Sequence, residues 1–135
     1  MQEEFLSLRF EQLLCEYRIN PLGIDTSFPR FSWKVSTPKR GSYQKAYQIL
    51  VATTLEALQS DVGDMWDSGK VESGESINVP YRGKPLQSRT RYYWKVRIWD
   101  EKGFVHPYST PAWFETALLS QEEWKGSFGL LYPLS

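Results

Sequence analysis

The stretch from residue 86 to residue 99 constrains the fold of this chain more than any other, and it reads L-Q-S-R-T-R-Y-Y-W-K-V-R-I-W. From Tyr92 onward its side chains alternate between two kinds of position, which is the period of a half-buried β-strand. One face consists of Tyr92, Trp94, Val96 and Ile98, and the other of Arg91, Tyr93, Lys95, Arg97 and Trp99. Because the charges must stay in water or be paired, we predict an antiparallel strand that is covered on one side only.

Other short alternating segments follow the same rule, with turn-forming residues between them at intervals of roughly 8 to 12 residues. They lie at residues 31–35, 47–51, 76–81 and 109–116, and a short edge strand is expected just after Asp64. A chain of 135 residues suits one domain with its own core. We therefore predict an all-β fold in which seven or eight strands form two antiparallel sheets, packed as a β-sandwich.

The first strand changes phase along its length. One parity carries Leu6, Leu8 and Phe10, and the other carries Leu13, Cys15, Tyr17 and Ile19. A β-bulge, or a strand that passes from one sheet to the other, produces such a shift, and we place it near residues 11–14.

Three connections are predicted from local signals. Residues 31–35 are expected to return to 47–51 as a hairpin across the Pro- and Gly-containing segment 37–42. Residues 55–60 do not alternate and follow Thr54, a good N-cap, so one short helical turn is expected there. The D-E-K-G sequence at 100–103 predicts a hairpin turn.

Charge and cysteine content disfavour several partners. Sixteen basic and sixteen acidic residues cancel, so no global field attracts nucleic acid or an anionic membrane. No apolar run approaches the ~20 residues that span a bilayer. Cys15, the only cysteine, cannot form an intramolecular disulfide and is expected to be a small apolar strand residue. The N-terminus shows no signal peptide, and localisation stays open because a longer parent protein can be exported.

Catalytic and metal-binding patterns are weak. His106 is the only histidine, and its F-V-H-P-Y context predicts a solvent-exposed loop position rather than a catalytic base. Asp61, Asp64 and Asp67 lack the spacing of a calcium-binding loop, so a solvated edge explains them better. The chain has no phosphate-binding, dinucleotide-binding or nucleophile-elbow motif. We therefore predict no catalytic residue, no cofactor and no metal site.

Aromatic residues make up 16% of the chain, and in a β-protein they first indicate core and cross-strand pairs. The predicted core consists of Phe31, Trp33, Tyr47, Ile49, Val51, Tyr92, Trp94 and Val96. Tyr81, Trp99, Tyr108 and Trp113 are the candidates for exposed rings that contact a sugar or a neighbouring domain.

Two resemblances rest on these motifs. Trp33, Y-x-I-x-V at 47–51, L-x-S-x-T-x-Y at 86–92 and Ser109 resemble the core pattern of fibronectin type III domains, in which a corner tyrosine hydroxyl bonds back to the backbone. Six segments in order also resemble the N-terminal β-sandwich domain of bacterial α-L-rhamnosidases of glycoside hydrolase family 78. They are L-L-C-E-Y-R-I-N-P-L-G-I-D (13–25), P-R-F-S-W-K (29–34), A-Y-Q-I-L-V-A (46–52), W-D-S-G-K-V (66–71), R-Y-Y-W-K-V-R-I-W-D (91–100) and A-W-F-E-T (112–116).

The second resemblance implies an immunoglobulin-like or fibronectin type III-like domain of a long enzyme. Such enzymes release terminal α-L-rhamnose from plant glycosides and polysaccharides by inverting hydrolysis, with their acid and base on a separate helical barrel. No residue of this chain matches those catalytic motifs. We therefore expect residues 1–119 to be an accessory domain that packs against other domains of the same polypeptide. Residues 120–135 are expected to be a tail or the start of a following domain.

Two other functions stay open. A planar row of exposed rings would make the domain an autonomous carbohydrate-binding module. An exposed edge strand would suit a general protein-interaction domain of the fibronectin kind. We expect free rhamnose to bind weakly or not at all, because much of the aromatic content is needed in the core. The isolated domain is expected to self-associate if the remaining rings form an apolar surface.

Overall fold

A computed structural model describes residues 8–37 and 41–119 of the chain. Within these residues the chain forms seven β-strands and one short helix. The strands are β1 (Arg9–Cys15), β2 (Arg30–Ser36), β3 (Gln44–Ala52), β4 (Trp66–Asp67), β5 (Val79–Pro80), β6 (Arg91–Asp100) and β7 (Ala112–Glu115), and helix α1 (Leu55–Gln59) follows β3. No helix in the described ranges is long and apolar enough to cross a membrane.

The strands form two sheets, with the orders β1-β2-β5 and β4-β3-β6-β7. Every pair of neighbouring strands is antiparallel, so the predicted all-β sandwich is confirmed. The predicted hairpin between β2 and β3 is wrong, because these two strands lie in different sheets. Alternation assigns a residue to a face, but it does not say which strand lies alongside.

The predicted phase shift of the first strand is confirmed by a register irregularity between Phe10 and Gln12. The strand does not continue as expected, however, because β1 ends at Cys15 and the chain turns with positive φ at Glu16 and Tyr17. Tyr17 and Ile19, which we expected to share the inward parity of Cys15, are exposed instead. Turn geometry has therefore overridden an apolar pattern that continued beyond the strand.

The core lies between the two sheets and contains all eight side chains predicted for it, together with further residues from both sheets. Phe31 of β2 packs against Trp94 of β6 with ring centroids 4.5 Å apart, and against Phe114 of β7 at 5.8 Å. Trp33 and Tyr47 pack edge to face at 5.2 Å across the sheets. These contacts make the inner face of β6 the centre of the sandwich. Cys15 is buried in the same core, as predicted.

The corner before β6 is closed by a tyrosine. The backbone N–H of Gln87 donates to Tyr92 Oη at 2.8 Å, which is the back-bonding expected from the fibronectin-like motif. Nearby, Thr116 Oγ1 accepts from the backbone N–H of Thr90 at 3.0 Å and donates to the carbonyl of Gln87 at 2.6 Å. The entry to β6 is therefore tied to the residue that follows β7.

Helix α1 covers part of the outer face of the four-stranded sheet. Its N-cap is Thr54, whose Oγ1 accepts from the backbone N–H of Ala57 at 3.1 Å, so the predicted helical turn is confirmed. Leu58 packs with Leu50 and Ala52 of β3, and Tyr93 and Tyr108 lie against this small cluster. The expectation that β6 is covered on one side only therefore needs correction at Tyr93.

Three predictions fall partly or wholly on residues outside the described ranges. These are the strand start at Leu6, the turn at 37–42, of which residues 38–40 are not described, and the tail at 120–135. The division into a domain at 1–119 and a following segment stays a prediction.

Candidate functional site

The four candidate contact rings do not share one environment. Tyr81 is only 1% exposed, and its hydroxyl donates to the backbone carbonyl of Lys84 at 2.5 Å. Burial raises the pKa of this phenol. Tyr81 was therefore wrongly selected as an exposed ring, because the chain folds back over it between Pro80 and Lys84. Trp99, Tyr108 and Trp113 are half-buried.

Trp99 and Trp113 lie on the outer face of the four-stranded sheet, and both are approached by cations. Trp113 pairs with Tyr93 of β6, and the Arg91 guanidinium lies 3.8 Å from the centroid of its indole. Arg91 also forms an ion pair with Glu115 at 3.5 Å. This geometry is that of a cation–π contact, and it covers part of one face of the Trp113 ring.

Arg97 occupies the middle of the same face. Its guanidinium lies 4.5 Å from the Tyr108 ring and 5.3 Å from the Trp99 ring. Its Nε donates to Gln48 Oε1 at 3.0 Å, and Gln48 Nε2 donates to Asp67 Oδ1 at 2.8 Å. This chain of contacts crosses from β4 through β3 to β6 and fixes the guanidinium in one orientation.

Lys95 was predicted on the polar face, where its charge must be solvated or paired, and pairing is what occurs. Its side chain is 8% exposed, and its ammonium group donates to Asp61 Oδ1 at 2.6 Å. The same Nζ lies 4.5 Å from the Tyr108 ring. Burial raises the pKa of Tyr108, with Asp61 acting in the same direction and Arg97 opposing it. Tyr108 therefore remains a neutral ring that is fixed between two cations.

We name this set of side chains the outer ladder: Lys70, Arg91, Lys95, Arg97, Trp99, Tyr108 and Trp113. Lys70 joins it because its Nζ lies 5.1 Å from the Trp99 ring centroid. Trp99 is six residues beyond Tyr93, the partner of Trp113, so at about 3.3 Å per residue the two indoles are roughly 20 Å apart along β6. The outer ladder is thus a row of rings alternating with cations, and not one continuous aromatic platform.

Sequence reasoning selected the rings of the outer ladder but not their cations. Arg91, Lys95 and Arg97 have the same parity as Trp99, so the alternation that predicted the strand also contained this signal. Lys70 and Gln48 come from other segments, and their participation depends on strand pairing that the sequence pattern does not specify. Chemically, the row can contact apolar or planar surfaces that carry negative charge.

His106 was predicted to be exposed, and this is wrong. Its side chain is 5% exposed, and Nε2 lies 3.0 Å from Asp100 Oδ2. The carboxylate of Asp100 also accepts from the backbone N–H groups of Lys102 and Phe104 at 2.9 and 3.1 Å. Although burial opposes it, these hydrogen bonds lower the pKa of Asp100. The pair closes the predicted 100–103 turn from inside, which explains why a loop histidine is buried.

Asp61, Asp64 and Asp67 serve three separate structural contacts and do not converge on one point. Asp61 pairs with Lys95, and Asp67 accepts from Gln48. Asp64 accepts from the backbone N–H and the hydroxyl of Thr53 at 2.9 and 2.6 Å. Within residues 8–37 and 41–119, no group of three His, Cys, Asp or Glu side chains has the geometry of a metal site.

Among the surface grooves that the described residues form, three have volumes of about 620, 410 and 330 Å³. The largest lies beside β1 and β2, is lined in part by Leu14, Trp33 and Ile77, and contains no carboxylate. The second contains one, that of Glu75, and the third contains none. Inverting glycoside hydrolysis needs two carboxyl groups across a cleft, roughly 6.5–9.5 Å apart. None of these three grooves offers such a pair.

The sequence matches a known domain family over nearly all of the described residues. The family is described as "Rha78A-like, N-terminal immunoglobulin domain", and its profile matches residues 10–120. Two relatives named alpha-L-rhamnosidase are those of Streptomyces avermitilis, 43% identical over 90% of this chain, and Formosa agariphila, 42% identical over 87% of it. In both cases the chain spans about 12% of the relative's length.

Solved structures of such enzymes contain a similar domain. The alpha-L-rhamnosidase from Dictyoglumus thermophilum aligns over 87% of this chain and 13% of its own, with 43% identity and a TM-score of 0.81. The Streptomyces avermitilis alpha-L-rhamnosidase complexed with L-rhamnose aligns over 87% of this chain and 11% of its own, with 44% identity and a TM-score of 0.80. The similarity thus involves a small part of much longer chains.

Proposed function

This chain belongs to the family of Rha78A-like N-terminal immunoglobulin domains, and we propose that it is a non-catalytic accessory domain of an α-L-rhamnosidase. In this role the domain packs against other domains of the same polypeptide, and the hydrolysis of rhamnosides takes place elsewhere. The observation that carries the proposal is the match of residues 10–120 to a domain that makes up only about 12% of full-length relatives.

The use of the carboxylates supports the same proposal. Asp100, Asp61 and Asp64 are engaged in structural contacts with His106, Lys95 and Thr53. A general acid for glycoside hydrolysis needs a raised pKa and access to a substrate oxygen. The pKa values of Asp100 and Asp64 are lowered instead, which suits groups that remain ionised as structural partners.

The test is hydrolysis of p-nitrophenyl α-L-rhamnoside by the purified 135-residue chain. We expect no turnover above that of a matched preparation carrying Glu75→Gln, since Glu75 is the one carboxylate in the three grooves described. Turnover that persists through purification and is lost in Glu75→Gln, or in another single carboxylate variant, contradicts the accessory role.

Carbohydrate binding is a second candidate, favoured by the half-buried Trp99, Tyr108 and Trp113. The cations stacked on these rings make a sugar platform less suitable, because they occupy ring surface that a pyranose would use. We therefore propose that free rhamnose binds weakly or not at all. Calorimetric titration with rhamnose and rhamnosylated oligosaccharides tests this, and saturable submillimolar binding that Trp99→Ala abolishes favours the carbohydrate-binding module.

A further inference from the structure

A cleft lies along the edge of the sandwich at which β4 and β5 are the outermost strands of their sheets. Its larger part is the groove of about 410 Å³, which is lined in part by Trp66 of β4 and by Val79 and Pro80 of β5. The groove of about 330 Å³ shares Pro80 and Arg82 with it and is also lined by Phe28. We name the two grooves together the edge cleft. Each has a volume within the range of small-molecule sites.

The walls of the edge cleft are held by hydrogen bonds to the backbone. The N–H of Tyr47 donates to the carbonyl of Val71 at 3.0 Å, and the N–H of Val71 donates to the carbonyl of Tyr47 at 2.8 Å. The carbonyl of Glu75 accepts from Gln44 Nε2 at 2.8 Å, and the N–H of Glu75 donates to Ser73 Oγ at 3.0 Å. The side chains of Tyr47 and Glu75 therefore project from a fixed backbone, which favours a preformed site.

The hydroxyl group of Tyr47 is available inside the edge cleft. The Tyr47 ring is buried and packs against Trp33, but Tyr47 also lines the larger groove. Within the described residues its hydroxyl oxygen has no hydrogen-bond partner and is not enclosed by protein. Burial raises the pKa of this phenol, the Glu75 carboxylate acts in the same direction, and the Arg82 guanidinium opposes it. The edge cleft therefore contains a neutral phenol that lies near both charged groups.

Glu75 and Arg82 bring opposite charges to the same groove. Both residues are exposed, and in the described part of the chain neither side chain takes part in a hydrogen bond or an ion pair. Because the charges cancel, an anion or a cation in this groove meets one group of its own sign. A sugar hydroxyl, in contrast, can accept from the guanidinium, donate to the carboxylate and do either with the phenol. The polar groups thus suit an uncharged ligand with several hydroxyl groups.

Each part of the edge cleft also offers an aromatic ring. Trp66 is half-buried, with Phe31 of the core at a ring-centroid distance of 6.4 Å, and Phe28 in the smaller groove is 63% exposed. A pyranose ring has apolar C–H faces beside its hydroxyl groups, so it can pack on such rings while its rim stays polar. An added peptide strand fits less well, because Pro80 lacks the N–H that strand pairing uses.

We propose that the edge cleft binds a neutral oligosaccharide. One sugar residue packs against Trp66 and the next against Phe28, and hydroxyl groups of the ligand bond to Tyr47, Glu75 and Arg82. This inference goes beyond the accessory role and does not depend on it, and it concerns a different surface from the outer ladder. Since the cleft is open to solvent along one side, we expect a Kd on the order of millimolar.

The experiment is an NMR titration of the ¹⁵N-labelled 135-residue chain, in which the backbone N–H signals are followed. The probes are maltotriose and cellotriose, two uncharged trisaccharides whose α- and β-linked chains differ in curvature, added to about 50 mM so that millimolar binding approaches saturation. We expect at least one of them to shift the signals of Ser68, Val71 and Gly83, which line the edge cleft, along saturable curves with a common Kd.

Four variants localise the binding. Glu75→Gln and Tyr47→Phe should each raise the Kd at least about threefold, because each removes one hydrogen-bonding group and keeps the shape of the side chain. Glu56→Gln, at an exposed position of α1 outside the edge cleft, is the matched control and should change the Kd less than about 1.5-fold. Phe28→Ala should weaken trisaccharide binding at least about threefold but methyl α-D-glucopyranoside binding less than about twofold, since one sugar residue can occupy the larger groove alone.

Three results overturn the proposal. Absence of saturable shifts with both trisaccharides means that the cleft does not bind this class of ligand, and a Kd unchanged in Glu75→Gln and Tyr47→Phe means that the sugar binds elsewhere. Tighter binding of L-alanine than of either trisaccharide means that the cleft selects charges and not hydroxyl groups. A circular dichroism melt of each variant identifies loss of the fold, and Arg82→Gln replaces Tyr47→Phe if that variant unfolds. None of these readouts depends on rhamnoside hydrolysis.

Discussion

Strand β6 has two faces that differ in what their side chains do. The inner face packs Tyr92, Trp94, Val96 and Ile98 against the opposite sheet, and each is almost completely buried. On the outer face, Arg97 and Lys95 contact aromatic rings and polar partners at the surface. Burial of apolar area is the larger source of stability, so the inner face of β6 supplies the stabilising core, whereas the outer face carries rings and cations that contact one another.

The largest effect is expected at the centre of the inner face. Trp94→Ala should lower the free energy of unfolding by about 3–5 kcal/mol, because it leaves a cavity beside Phe31. Trp113→Ala on the outer face is the control, with an expected cost below about 2 kcal/mol. Equilibrium denaturant unfolding measures both. An unchanged midpoint for Trp94→Ala removes the basis for the two-face comparison.

A second effect is expected at the polar end of β6. Asp100→Asn should cost about 1–3 kcal/mol at neutral pH, since the carboxylate accepts from His106 and two backbone N–H groups. Because folding lowers the pKa of Asp100, its contribution is present above the ordinary carboxyl pKa near 4 and is lost as the pH falls through the folded-state value.

The pH dependence can be tested by unfolding the parent and Asp100→Asn between pH 7 and pH 2. The stability difference should be constant at neutral pH and shrink below about pH 4. Asp25→Asn, at an exposed loop position, is the control and should change stability by less than about 0.5 kcal/mol at pH 7. A stability difference that grows on acidification contradicts the assigned role of Asp100.

A smaller effect is expected at the corner before β6. Tyr92→Phe keeps the buried ring but removes the oxygen that accepts from the Gln87 N–H, so we expect a loss of about 0.5–1.5 kcal/mol. Tyr93→Phe, on the other face of the strand, is the matched control. Equal effects of the two variants on the unfolding midpoint argue against a specific corner bond.

The smallest effect is expected within the outer ladder. Arg97→Lys keeps the charge but replaces the planar guanidinium that stacks on Tyr108 and binds Gln48, so the expected cost is about 0.5–1 kcal/mol. Arg18→Lys, at an exposed position, should be neutral within about 0.5 kcal/mol. A loss above about 2 kcal/mol for Arg97→Lys would mean that a residue of the outer ladder contributes to stability as much as a core residue does.

Side-chain parity can be predicted from the sequence, whereas strand pairing cannot. Alternation identified the buried face of β6 and the core residues Phe31 and Trp33, because side-chain parity is a local property of a strand. It did not predict that β2 and β3 lie in different sheets, since strand pairing depends on contacts between distant segments. The burial of His106 and Tyr81 depends on partners supplied by chain reversals, Asp100 and the Lys84 carbonyl respectively.

The candidate site follows the same division. Parity could assign Trp99 and Trp113 to one face. The distance between them along β6 could not be predicted, because it depends on the register of β6 with β7. To predict the cations that contact these rings, one also needs the position of Lys70, which lies over Trp99, and that of Gln48, which orients Arg97. The exposure of Ile19 was not predicted, because this residue continued an apolar alternation that suggested burial, whereas β1 ends at Cys15 and the chain then turns.

An alanine scan of β6 from Tyr92 to Trp99 tests the two-face account most directly, with the free energy of unfolding measured for each variant. We expect the cost to alternate, exceeding about 2 kcal/mol at Trp94, Val96 and Ile98 and staying below about 1.5 kcal/mol at Arg97 and Trp99. Intermediate costs are expected for Tyr93, which packs against the small cluster around Leu58, and for Lys95, which is paired with Asp61. A profile without alternation, or one in which Arg97 and Trp99 cost as much as Trp94, would contradict the account.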